Sequence, residues 1–280
     1  MKWKGRRGSR NIEDRRGKAG GAPAIGGLGL IVIVVVGWLL GIDVRPLLDG
    51  GQLGGAPATG ELTAADEEAA QFVSVTLADT EEVWTQIFRD QLGRAYDPAV
   101  LVLFSGVTQS PCGGASGATG PFYCPADEKA YLDTAFFTTM ARKLGARGDF
   151  AAAYVVAHEI AHHVQNELGI LGEANRIRAQ ASPTQANQIS VRIELQADCL
   201  SGIWARQANE RFGSLEAGDL EEALNAARQI GDDTLQRNAG RVPQPHTFTH
   251  GTSEQRQRWF ATGYQSGRID ACNTFGTNRL

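Results

Sequence analysis

Residues 151–164 read Ala-Ala-Ala-Tyr-Val-Val-Ala-His-Glu-Ile-Ala-His-His-Val. The run is long and apolar enough to predict a helix buried over most of its surface. It nevertheless carries two histidines and a glutamate, which are expensive to bury without a partner. His158 and His162 are four residues apart, so on a helix they share one face with Cβ atoms about 5–6 Å apart. Whatever else the chain builds has to close around that face and bring a partner to it.

The rest of the domain is expected to be α+β and mainly helical, with a small sheet containing an antiparallel pair. Thr63-Ala-Ala-Asp66 predicts a helix cap, opening a helix towards Leu92 with Phe72, Val75, Val83, Trp84, Ile87 and Phe88 inward. Val100 to Val107 reads as a strand, and Pro121–Cys124 and Lys129–Asp133 as two more or as a hairpin. Further helices are predicted over Thr134–Leu144, after Asp149, after Ser182-Pro-Thr-Gln185, over Asp219–Ile230 and after Thr252-Ser-Glu-Gln255.

The net charge of -4 conceals an asymmetry. Lys2, Lys4, Arg6, Arg7, Arg10, Arg15, Arg16 and Lys18 face only Glu13 and Asp14 in the first twenty residues, so the remainder is clearly acidic. That argues against nucleic acid as the main domain's ligand. Residues 1–23 are thus expected as a basic cytoplasmic head and residues 24–42, which carry no charge, as a single transmembrane helix. Residues 43–62, rich in Gly, Pro and Ala, would tether a domain over 63–280. The positive-inside bias then puts that domain beyond the inner membrane, on the periplasmic side. A cleaved signal peptide with Ala56-Pro-Ala58 as its site, or a buried strand, are the alternatives; the length of the run and the distance to Ala58 favour the anchor.

All four cysteines follow the apolar run, as an oxidising compartment would lead one to expect. Cys112 with Cys124 would close a Gly-rich loop and leave Cys199 for Cys272; buried free thiols are the alternative if the domain faces the cytoplasm.

Two imidazoles at helical spacing suit one Zn²⁺ with metal–nitrogen bonds of about 2.0–2.1 Å. Glu159, beside the first of them, can reach a metal-activated water and act as general base. A catalytic zinc needs a third protein ligand. The metzincin continuation is absent, because Gln165 and Leu168 stand where its Gly and third His would be. Glu194-Leu-Gln-Ala-Asp198 is the better source: Glu194 would bind the metal, and Asp198, one turn on, would hold the far ring nitrogen of a ligand histidine. A solvated acidic face is the alternative, disfavoured by the apolar Ile193, Leu195, Ala197 and Leu200.

The His-Glu-Ile-Ala-His helix followed by the Glu-x-x-x-Asp helix is similar to gluzincin peptidases. The wider pattern resembles the bacterial family of neutral zinc metallopeptidases. That likeness rests on Phe122-Tyr-Cys-Pro125, Tyr131-Leu-Asp133, Val156–Val164, Glu194–Asp198 and His250-Gly-Thr-Ser-Glu-Gln-Arg256. It implies a zincin-like fold with His158, His162 and Glu194 on zinc, Glu159 as base and Asp198 behind the ligands.

Outside the metal helix the histidines are His246 and His250. His250, just ahead of a capped helix, is expected to stabilise the oxyanion, with His246 or a purely structural cap as the alternative. His163 points about 100° away from His162 and is expected to be structural. Phe122–Asp133 could offer an edge strand to an extended peptide, or be an ordinary strand stapled by Cys124. The expectation is a membrane-anchored zinc peptidase acting on extracytoplasmic protein or peptide substrates. A catalytically silent zinc-bearing scaffold for membrane or envelope proteins, and a zinc hydrolase of a non-protein amide such as cell-wall peptide, are the competing readings.

Overall fold

The computed structural model describes residues 1–17, 62–116 and 120–280. The apolar run 24–42 and residues 43–61 of the tether expected over 43–62 lie outside the described residues, among which no helix is long and apolar enough to cross a membrane.

A four-stranded sheet has the order β1 (Ile12–Asp14), β2 (Val100–Phe104), β6 (Lys129–Asp133), β5 (Phe122–Cys124). The first three run parallel and β5 runs antiparallel to β6, which leaves β5 at one edge. β2 is apolar throughout because both of its faces are covered. Leu101 and Leu103 enter the main core, while Val102 and Phe104 pack with Tyr131 and Cys124 on the other face. Two more strands, β3 (Val107–Ser110) and β4 (Gly113–Ser116), form a separate hairpin.

Eight α-helices do most of the building among the described residues: α1 (Ala64–Ile87), α2 (Ala135–Lys143), α3 (Asp149–Glu167), α4 (Ile170–Arg178), α5 (Pro183–Phe212), α6 (Asp219–Gln229), α7 (Asp232–Asn238) and α8 (Ser253–Ser266). The capping boxes at Thr63, Ser182 and Thr252 form as the sequence leads one to expect, each satisfying backbone donors of a first helical turn. A single π turn over Phe88–Leu92 extends α1, and Gly93 closes it in the left-handed conformation.

α3 runs through the centre. Phe150 stacks on Trp204 of α5 and Tyr154 meets Phe260 of α8 edge-on, with ring centres 5.9 and 5.6 Å apart. α5 and α8 lie backbone to backbone because glycines face each other across them. A Cβ on Gly202 would sit 2.0 Å from the Phe260 carbonyl, and one on Gly263 would sit 1.8 Å from that of Cys199. This approach carries Arg256 into the interior against α5.

Residues 1–17, expected as a separate basic head, are instead part of the domain. β1 pairs in parallel with β2, matching Ile12 to Leu101, and Met1, Trp3 and Arg16 are buried. The basic side chains meet carboxylates of α1. Arg6 binds Asp79 through two bonds of 2.6 and 2.8 Å, Lys4 reaches Glu68, Arg7 reaches Glu82, and Arg16 lies between Asp14 and Glu67. The charge that read as a membrane signal is the counterpart of an acidic helix.

Cys112 is bonded to Cys124 and Cys199 to Cys272. The first ties the β3–β4 hairpin to the end of β5. The second ties the C-terminal segment to the middle of α5; closing a loop of 73 residues is worth about 4 kcal/mol in chain entropy.

Candidate metal centre and cleft

α3 and α5 cross so that the histidine face of one meets the carboxylates of the other. His158 Nε2 lies 3.0 Å from Glu194 Oε2, and His162 Nε2 lies 3.6 Å from Glu194 Oε1. One donor atom from each of the three side chains falls within 4.8 Å of the others. Four donors in a tetrahedron with bonds near 2.1 Å stand about 3.4 Å apart, so these separations fit a zinc ion.

The electrostatics agree with a cation here. Burial works against charge on His158, yet the adjoining carboxylates of Asp198 and Glu194 lift it to about 10. Burial alone would raise the Glu194 carboxyl, but His162 and His158 hold it well below the ordinary range. Two imidazoles around one carboxylate thus form a pocket that favours positive charge and keeps its acid ionised. Burial lifts the Glu159 carboxyl above its ordinary value, opposed by the imidazoles of His162 and His158, which suits a group that has to accept a proton.

Asp198, expected to hold the far ring nitrogen of a ligand histidine, is instead bonded chiefly to Arg256 and Tyr154. It is fully buried, and Arg256 donates to both of its oxygens at 2.8 and 2.9 Å while the Tyr154 hydroxyl donates to Oδ1. His158 Nδ1 lies 3.1 Å from the same Oδ1, near enough for attraction but not aligned as a hydrogen bond. His162 is held by another residue: its Nδ1 donates to Gln165 Oε1 at 2.9 Å. Sequence reasoning gave Gln165 no role beyond breaking the metzincin pattern, and gave none to Tyr154 or Arg256. The signal available was only their spacing: Gln165 follows His162 by three residues and Tyr154 precedes His158 by four.

The site opens into a cleft of about 1060 Å³ that Glu159, His250 and Arg256 also line. His250 is half exposed at its rim. It is aimed by Asp232 at the start of α7, whose Oδ2 accepts from the backbone N–H groups of Thr249, His250 and Gly251. Asp232 Oδ1 lies 3.3 Å from His250 Nδ1. Its partial desolvation in the cleft opposes charge on His250, but Asp232 and the Glu194 carboxylate hold it above its ordinary value. His246 lies in a short 3-10 turn and is not among the residues that line the cleft.

Phe122 and Tyr123 of the edge strand β5 form one wall. The Tyr123 hydroxyl donates to His163 Nδ1 at 3.0 Å, and His163 Nε2 donates to the Asp97 carbonyl at 2.7 Å. His163 therefore links the edge strand to the helix bearing the candidate metal ligands His158 and His162.

A family profile described as "Putative neutral zinc metallopeptidase" matches residues 1–275. The chain belongs to this family. Membership supports a zinc peptidase at the level of the neutral zinc metallopeptidase family. The Escherichia coli K12 protein YpfJ, itself uncharacterised, is 46% identical over 99% of both chains. The uncharacterised protein Rv2575 of Mycobacterium tuberculosis H37Rv is 42% identical over 78% of this chain and 75% of its own. No solved structure matches this member of the neutral zinc metallopeptidase family.

Proposed function

We propose that the domain hydrolyses peptide bonds in extended protein or peptide segments outside the cytoplasm. The observation that carries this reading is the convergence of His158, His162 and Glu194 on one point of a cleft whose wall is a sheet edge. Zinc held by these three residues would act as a Lewis acid and bring a water to a pKa of about 7. Glu159 takes the proton from the attacking water and passes it to the departing amine. His250, held by Asp232 and carrying a proton, donates to the oxyanion as the carbonyl becomes tetrahedral. The outer edge of β5, unpaired among the described residues, offers backbone donors and acceptors to a substrate strand. Aligning a peptide there is what distinguishes a protein substrate from a small amide.

Two disulfides support an oxidising compartment. Because β1 pairs with β2, residues 1–17 and the domain have to lie on the same side of the bilayer, which a single crossing by residues 24–42 would forbid, so the extracytoplasmic location rests on the disulfides and not on a membrane-spanning anchor. A thiol introduced as Lys4→Cys should then react with an impermeant maleimide from the outer face of intact inner membranes; reaction only after lysis contradicts this arrangement.

The metal site itself is tested by zinc content. Wild type should carry one zinc per chain and Glu194→Ala should lose it on dialysis. Full stoichiometric zinc retained by the variant would require a different third ligand.

A further inference from the structure

Gln165 is completely buried beneath the metal site, and every polar atom of its side chain is engaged. Its Nε2 donates to the Ile193 carbonyl at 2.8 Å and to Gln196 Oε1 at 3.0 Å. Gln196 in turn donates from Nε2 to the Cys272 carbonyl at 3.0 Å. Cys272 is bonded to Cys199, which lies one helical turn beyond Gln196 on α5.

The chain of bonds has a direction. Cys272 offers a carbonyl, so Gln196 has to turn its amide nitrogen that way and its oxygen towards Gln165. Gln165 then faces two acceptors and must point its own nitrogen at them. Its oxygen is left for His162, so His162 carries its proton on Nδ1 and presents the Nε2 lone pair to the metal point. Rotating either amide by half a turn would set oxygen against oxygen at 2.8–3.0 Å in a buried site.

We propose that Gln165 is the positioning residue for the ligand His162, and that its orientation is fixed through Gln196 by the C-terminal turn that the Cys199–Cys272 disulfide holds in place. The disulfide thereby acts on metal affinity as well as on stability. The C-terminal segment does not depend on that bond alone: Arg192 donates to the carbonyls of Thr274 and Thr277, and the Thr274 hydroxyl donates to the Arg192 carbonyl. Loss of the disulfide therefore leaves the segment docked and frees the Cys272 carbonyl to move.

The inference rests on His162 as a zinc ligand, so the test includes that premise. Zinc dissociation constants are measured by competition with a chromophoric chelator for the full-length protein, with circular dichroism of each metal-free variant as the folding control. Gln165→Met, which keeps the volume, should weaken zinc binding about 10- to 100-fold, the range for losing a group that orients a ligand. Cys199→Ala with Cys272→Ala should weaken it by less, and Gln196→Met supplies the same reading if Gln165→Met does not fold. In the Gln165→Met background, removing the disulfide should weaken binding no further, whereas independent structural effects would add. Wild-type affinity in folded Gln165→Met overturns the inference, and additive losses overturn the part played by the disulfide. If His162→Ala also binds zinc as wild type does, the ligand assignment itself fails.

Discussion

Asp198 and Arg256 face each other in a fully buried, doubly hydrogen-bonded pair directly behind His158. Burial would raise the Asp198 carboxyl, yet Arg256 and His158 hold it below the ordinary range, so it is ionised whether or not a metal is present. A charge in that position is tolerable only while its partner is there. Arg256→Met should destabilise the protein by about 3–5 kcal/mol, and combining it with Asp198→Asn should recover part of that loss. Chemical denaturation of the single and double variants checks this; equal costs would show that the unpaired charge is not the cause.

A second buried pair makes stability depend on pH. Burial lifts the Asp79 carboxyl to about 6, against the pull of Arg6. Because the folded value lies above the unfolded one of about 3.9, the protonated group contributes stability in full below about pH 4. That contribution is lost as pH rises through 6. Arg6→Gln removes the cation that makes the ionised form tolerable, so it should cost about 3 kcal/mol at pH 8 and distinctly less at pH 5. Denaturation midpoints at the two pH values decide it, and a deficit that is the same at both contradicts the assignment.

The edge strand is fixed to the metal helix by one hydroxyl. Tyr123→Phe removes the bond to His163 while leaving the aromatic wall of the cleft in place. Loss of one hydrogen bond worth about 0.5–1.5 kcal/mol should raise KM about 2- to 12-fold with kcat nearly unchanged. Initial rates on an unfolded protein substrate give both constants, and a fall in kcat at constant KM would remove β5 from substrate alignment.

His250 should behave in the opposite way. Its removal takes away a transition-state donor, so His250→Ala should lower kcat about 10²- to 10³-fold while KM, zinc content and stability stay near wild type. Activity within a few fold of wild type would leave the histidine a structural role only.

Much of the site is visible in the sequence because its chemistry is local. His158, Glu159 and His162 share one turn of helix, and Glu194 and Asp198 share another, so helical spacing alone aligns each set. The capping boxes that set the helix starts are equally local, and α1, α5 and α8 begin where their caps stand. What is not legible depends on distant partners. β1 is a three-residue strand of charged character whose identity comes only from pairing with β2, nearly ninety residues on. Its neighbours Arg6 and Arg16 look like a solvated cluster until α1 supplies their carboxylates. Arg256 is hidden for the same reason: nothing local says that Gly202 and Gly263 let two helices close enough to bury it. Asp232 is missed because its partners are three backbone N–H groups, which no side-chain pattern encodes.

The account turns on Glu159 as the base of a zinc-dependent hydrolysis. The most direct measurement pairs zinc content with hydrolysis of an unfolded protein for wild type and Glu159→Gln. Wild type should cleave in a chelator-sensitive manner, and the variant should keep one zinc per chain while losing cleavage at least about 10³-fold. A zinc-loaded Glu159→Gln that cleaves at the wild-type rate would contradict the account.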